Sequence, residues 1–191
     1  MTAIDMRRRL PGAVAAEWIK VWSVRSTWWC LATGGLLMTA VAAQLAVFTT
    51  NANDNADPAD DKGVVALGSI AIGSVDLAQF AVIALAMLLI TAEYSTGAIR
   101  TTLQWVPRRG VLLLAKIIVT AVVAGLAGAV LAVLGSVAAA PLLGRWGGFT
   151  LSEWLGDILA VGTYLALISL FTLGIGTLLR SAVGTLTAVF L

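Results

Sequence analysis

Histidine is absent from the 191 residues, and cysteine occurs once, at Cys30. Without histidine the commonest general base and metal ligand is missing, and an H-E-x-x-H zinc site cannot form. One cysteine excludes an internal disulfide and a cysteine metal cluster. No Gly-Lys dipeptide occurs, so the G-x-x-x-x-G-K-[ST] phosphate cradle is absent too. Charge is equally scarce. Only 12% of residues are charged while 60% are hydrophobic, and mean hydropathy is +0.97. Soluble domains carry about 25% charged residues, and one of this size cannot hide so much apolar surface. A soluble enzyme is thereby excluded. The net charge of +2, from 12 basic and 10 acidic residues, is too small an imbalance for a phosphate-binding face, which excludes a basic nucleic-acid module.

What remains is an all-α integral membrane protein. A bilayer core of about 30 Å needs about 20 mostly apolar residues per helix. Full spans are expected over residues 28–48, 73–92, 111–140 and 158–179, with a fifth beginning at 182–191. About ten residues are too few to cross as a helix, so a longer parent chain is expected. The basic start around Arg7 is followed by a short apolar stretch broken by Pro11 and Gly12, which does not read as a cleaved signal.

Loop charge sets the expected orientation. Residues 1–26 balance to +3, residues 49–63 to −3, residues 93–116 to +3 and residues 141–157 to −1. By the positive-inside rule the N-terminus and segment 93–110 are cytoplasmic, while loops 49–72 and 141–157 face outward. The tryptophans agree: Trp18, Trp22, Trp28, Trp29 and Trp105 fall near the inner surface, Trp146 and Trp154 near the outer one.

Residues 13–26 read as a helix lying on the membrane. Val14, Trp18, Val21 and Trp22 share a face at helical spacing, with Glu17, Lys20 and Ser23 opposite, so the apolar face is expected in the interface and Lys20 near anionic headgroups. Such a helix either anchors the chain or passes motion to the span it feeds. In the third span Ala124, Gly128, Ala132 and Ser136 form a ridge of small residues, which predicts close helix packing rather than a substrate path.

Few polar side chains fall within the spans. Counted back from Glu93, Asp76 is expected in the first turn at the outer end, where the helix dipole and water favour a carboxylate. Embedded deeper, it would instead be an ion or proton site. Gln44 and Gln79 are the other pathway candidates, able to line an outer cavity or to pair across helices.

The segment after the second span is the most informative. Gly97 permits a bend after the span, residues 98–105 can form a short helix, and Pro107 ends it ahead of Arg108 and Arg109. Glu93, Gly97, Arg100, Thr102-Leu103 and Pro107-Arg108-Arg109 resemble the loop of ABC-2 type (ATP-binding cassette) transporter permeases. Glu17-Trp18-Ile19-Lys20 resembles that family's Glu-x-x-Lys N-terminal helix, and Ala98 departs from the usual threonine.

The resemblance implies a six-helix permease half in the cytoplasmic membrane. It implies a second permease half, identical or different, and separate ATPase subunits that bind ATP and magnesium. The chain itself would hold no cofactor, catalyse nothing and contact membrane lipids but no nucleic acid. Glu93 and Arg100 would brace the second span against the coupling helix, while Trp105, Arg108 and Arg109 would meet the ATPase or the membrane surface. A non-transporting membrane anchor or sensory subunit of the same fold is the alternative, followed by a secondary transporter or channel.

Overall fold

Long apolar stretches without internal breakers give long helices, and in lipid every backbone polar group must be satisfied within the helix itself. The computed structural model describes residues 3–55, 63–95 and 109–190, with side chains described for 10–55, 63–91 and 110–190. It is helical nearly throughout. Among the described residues the helices are α1 (Ala3–Ser23), α2 (Arg25–Asn55), α3 (Leu67–Ser95), α4 (Arg109–Leu143), α5 (Leu151–Leu179) and α6 (Ala182–Phe190). Helices α2 to α5 are long and apolar enough to cross a membrane, so the protein is a multi-pass membrane protein. A two-residue parallel pairing joins β1 (Val65–Ala66) to β2 (Gly147–Gly148), Val65 opposite Gly147 and Ala66 opposite Gly148.

The helices outrun the apolar runs that predicted them. Helix α2 continues past Phe48 to Asn55 although Thr49 to Asn55, Ala52 apart, are poor helix formers. Tertiary contacts hold this extension: Thr50 donates to the Leu142 carbonyl at 3.0 Å, and Asn53, buried, donates to the Gly63 carbonyl at 3.3 Å. Helix α3 starts at Leu67 rather than near residue 73, α4 runs through Pro141 to Leu143, and α5 starts at Leu151 rather than 158. Gly144, at φ +51, follows the end of α4.

Two compact units divide the chain. One comprises Met1–Cys30, Val82–Ala124 and Ala166–Leu191; the other comprises Leu31–Ala81 and Gly125–Leu165. In the second unit, Ala42, Ala46, Ile70, Ala139 and Leu143 form a buried cluster. The ridge of α4 packs against α5 there. A Cβ on Gly128 would lie 2.9 Å from the Gly162 Cα, and one on Gly162 would lie 2.9 Å from the Gly125 carbonyl oxygen. These two backbones approach as closely as only glycine allows. In the same unit Arg145 reaches Asp54 at 2.6 Å and lies over the Trp146 ring, whose Nε1 also donates to Asp54 at 2.9 Å.

In the first unit, α1 ends at Ser23 and α2 begins at Arg25, with Val24 alone between them. The last carbonyls of α1 find side-chain donors: Thr27 Oγ1 donates to Val21 at 2.6 Å and Ser23 Oγ to Lys20 at 2.9 Å. Ala13 packs with Val111 and Ala115 of α4. Helix α6 follows a break at Arg180, which takes the left-handed conformation at φ 52.

Candidate functional site

The site begins from one face of α1. Ala13, Glu17 and Val21, four residues apart, form its buried row. Small Ala13 and Ala115 let α1 approach α4, which brings Glu17 to Lys116 across 99 positions of sequence. Lys116 Nζ donates to Glu17 Oε2 at 2.6 Å and to the Leu89 carbonyl at 3.2 Å. Lys20 Nζ donates to Glu17 Oε1 at 2.6 Å. Both carboxylate oxygens are therefore occupied by ammonium groups.

This corrects two expectations. Glu17 does not lie on an outward polar face; it is 3% exposed, whereas Ile19 is 67% and Trp18 38% exposed. The exposure of Trp18 and Ile19 leaves them free for the membrane interface expected of the apolar stripe, while Glu17 turns to α4, with Lys116 and Lys20 occupying both carboxylate oxygens. Lys116, counted among the loop charges, is also buried, about two turns into α4. Trp22 is half-buried and stacks edge-on against Trp18 with ring centres 5.8 Å apart.

Burial pushes the Glu17 carboxyl up, but the Lys116 and Lys20 ammonium groups outweigh it and hold the carboxyl below its ordinary value of 4.5. A lowered folded-state value stabilises the fold above the ordinary value and ceases to do so as pH falls through the lowered one. Thermal melts of the protein in nanodiscs, run from neutrality to about pH 3, should therefore show stability dropping on the acid side. In Glu17→Gln that part of the acid loss should vanish; an unchanged profile would remove Glu17 from the account.

Beside this cluster lies a cavity of about 320 Å³ in the same unit, with walls from α1, the start of α2, α3 and α4. Its rim includes exposed Ser23 and Val24 and the partly exposed side chain of Lys20. Val21, Leu85, Leu88, Leu89 and Val119 supply apolar wall.

The second unit holds the predicted pathway residues. Asp76 is not in the first turn of α3. It is the tenth residue of a helix beginning at Leu67, roughly 13 Å along at 1.5 Å per residue. Its side chain is exposed there. The dipole argument for an interfacial carboxylate depended on a helix start that is wrong by two turns. Gln79 does pair across helices: its amide oxygen accepts from the Tyr164 hydroxyl of α5, and its Nε2 donates to the Asp76 carbonyl at 3.0 Å. Tyr164 was missed from sequence, because nothing local marks which aromatic of α5 faces α3. Gln44 is exposed on α2.

The coupling residues stand apart from both groups. Gly97, Arg100, Trp105, Pro107 and Arg108 lie outside the described residues, as do the side chains of Glu93 and Arg109. The backbone places Glu93 in the last turn of α3, which continues to Ser95 rather than stopping at Ala92, and Arg109 at the start of α4. No family model, curated protein or solved structure matches the chain.

Proposed function

We propose that the chain is the permease subunit of an ATP-driven exporter. It would form half of a translocation pathway and draw its energy from a separate ATP-binding cassette ATPase. The sequence of residues 93–109, with Glu93, Gly97, Arg100 and Pro107-Arg108-Arg109, carries this reading, and Asp76 bears on the need for a second half. An exposed carboxylate ten residues into a 25-residue candidate span is costly against lipid and calls for a water-lined path or a facing protein subunit. Gln79 and Tyr164 extend the polar surface beside it. Both needs are met when a second permease half closes a pathway against this face.

The resemblance of residues 93–109 to the coupling loop of ABC-2 permeases supports the same reading. In that arrangement the N-terminus, segment 93–108 and Arg180 are cytoplasmic in the cell membrane. Closure of the ATPases on ATP would move the segment, and the movement would pass into α3 and α4, which flank it. The Glu17 to Lys116 contact would couple α1 to the same movement, since it ties the surface helix to α4 seven residues after Arg109.

The test is reconstitution with a co-purifying ATPase and its stimulating substrate. Glu93→Ala and Arg100→Ala should each lower substrate-stimulated ATP turnover by about tenfold, the equivalent of about 1.4 kcal/mol of coupling. Turnover unchanged in both would sink the assignment of the segment. An ATPase that never co-purifies would sink the subunit arrangement as a whole.

A further inference from the structure

Ser74, Thr91, Ser136 and Thr172 are buried, and each donates to the carbonyl four residues back in its own helix at 2.7 to 2.9 Å. Thr27 and Thr185, also buried, find the Val21 and Ser181 carbonyls at 2.6 and 2.7 Å. Thr120 on α4 and Ser169 on α5 do neither. They are 2% and 0% exposed, and neither hydroxyl has a hydrogen-bond partner among the described residues. Leaving such a group unsatisfied away from water is unfavourable.

Both residues line one void of about 10 Å³, whose remaining wall is Val82, Leu85, Ala86, Leu89, Val123 and Ala124 of α3 and α4. That space holds about one water and nothing larger. No charged side chain lines it, so an ion has no counter-charge there. A hydrocarbon tail neither fits nor bonds to the hydroxyls. Two polar groups are the minimum set of partners for a buried water, and each hydroxyl can donate or accept. Volume, neutrality and the two unsatisfied groups select the same occupant.

We propose that one resident water bridges Thr120 and Ser169 and so ties α4 to α5 inside the first unit. A bridging water bonds nearly as well as a direct contact. Leu85, Leu89 and Thr120 also belong to the wall of the 320 Å³ cavity, so the void borders on it. Lys116 stands one turn before Thr120 on α4 and on the same face. The Glu17 to Lys116 pair and the water are thus successive polar holds along α4, the first reaching α1 and the second α5. The site is independent of the permease reading, since it needs only these helices.

Water-edited solid-state NMR of the full chain in phospholipid bilayers tests it. The Thr120 and Ser169 side-chain signals should gain magnetisation from water faster than that of Thr172, which is as deeply buried but donates to Ile168. Thr120→Val, which removes the hydroxyl at nearly constant shape, should abolish the transfer to Ser169, whereas Thr120→Ser retains it. Ala86→Val, which fills the void, should abolish the transfer to both. Thr120→Val and Ser169→Ala should each lower the folded-to-unfolded ratio about tenfold, and the double variant by about the same factor, since it leaves neither hydroxyl unsatisfied. Transfer no faster than at Thr172 would overturn the water and mean that the hydroxyls turn to the Lys116 and Leu165 carbonyls four residues back. Transfer to Ser169 that survives Thr120→Val, or losses that multiply in the double variant, would overturn the bridge.

Discussion

Replacing Glu17 with alanine should destabilise the protein by about 3–5 kcal/mol, the range for removing one partner of a buried ion pair. The carboxylate is shared by two ammonium groups, and Lys116 is buried about as deeply as Glu17 itself. Lys116→Met should cost less, since Glu17 keeps Lys20. Lys20→Ala should cost only about 0–1 kcal/mol, because its side chain is 40% exposed and the contact is screened by solvent. The double variant Glu17→Leu with Lys116→Met should be more stable than Glu17→Ala, since a well-packed apolar pair avoids desolvating any charge. Thermal unfolding followed by size-exclusion chromatography measures the four variants together. Equal losses for Glu17→Ala and Lys20→Ala would show that the pair with Lys116 contributes nothing.

The second large effect belongs to the contact between α4 and α5. Gly162→Ala puts a methyl group 2.9 Å from the Gly125 carbonyl oxygen, a backbone atom that cannot rotate away. Overpacking of this kind costs about 1–3 kcal/mol, and a larger residue such as valine more. Gly128→Ala meets the same obstacle from the other side, at the Gly162 Cα. Gly174→Ala, elsewhere on α5, is the control because nothing lies within 4 Å of its added Cβ. There the substitution should be neutral or stabilising by up to about 1 kcal/mol through helix propensity. Melting temperatures of the three variants should therefore move in opposite directions within one pair of helices. A loss at Gly174 as large as at Gly162 would mean that general helix strain, not the close approach, sets the effect.

The ridge of α4 was legible in advance because four-residue spacing of small side chains has one physical use in a membrane, the approach of another helix. Which helix approaches was not legible: Gly162 has no local signal that pairs it with Gly128. Helix α1 shows the opposite failure. Spacing alone sorted α1 into an apolar and a polar face, and the assumption that the apolar face is the buried one turned Glu17 outward. The error is instructive because both assignments rest on the same periodicity. Only the approach of Lys116, made possible by Ala13 and Ala115, decides between them.

Asp76 makes a related point about lengths. A hydropathy run ends where polar residues begin, but a helix ends where its backbone bonds can no longer be satisfied. Polar extensions such as Thr49 to Asn55 on α2 continue because Thr50 and Asn53 find partners elsewhere in the fold. The same two-turn difference at the start of α3 takes Asp76 out of the helix's first turn, to its tenth residue.

Composition and hydropathy by themselves determined that this is a membrane protein with four long spanning helices. A chain with so few charges and such long apolar runs must be helical in lipid, since no water is there to satisfy its backbone. The tertiary structure alone decided which charges are buried, which backbones touch, how far each helix runs past its apolar core and where a cavity remains. Those outcomes depend on groups many residues apart meeting in space. A local pattern of hydrophobic spacing carries no information about a partner on another helix.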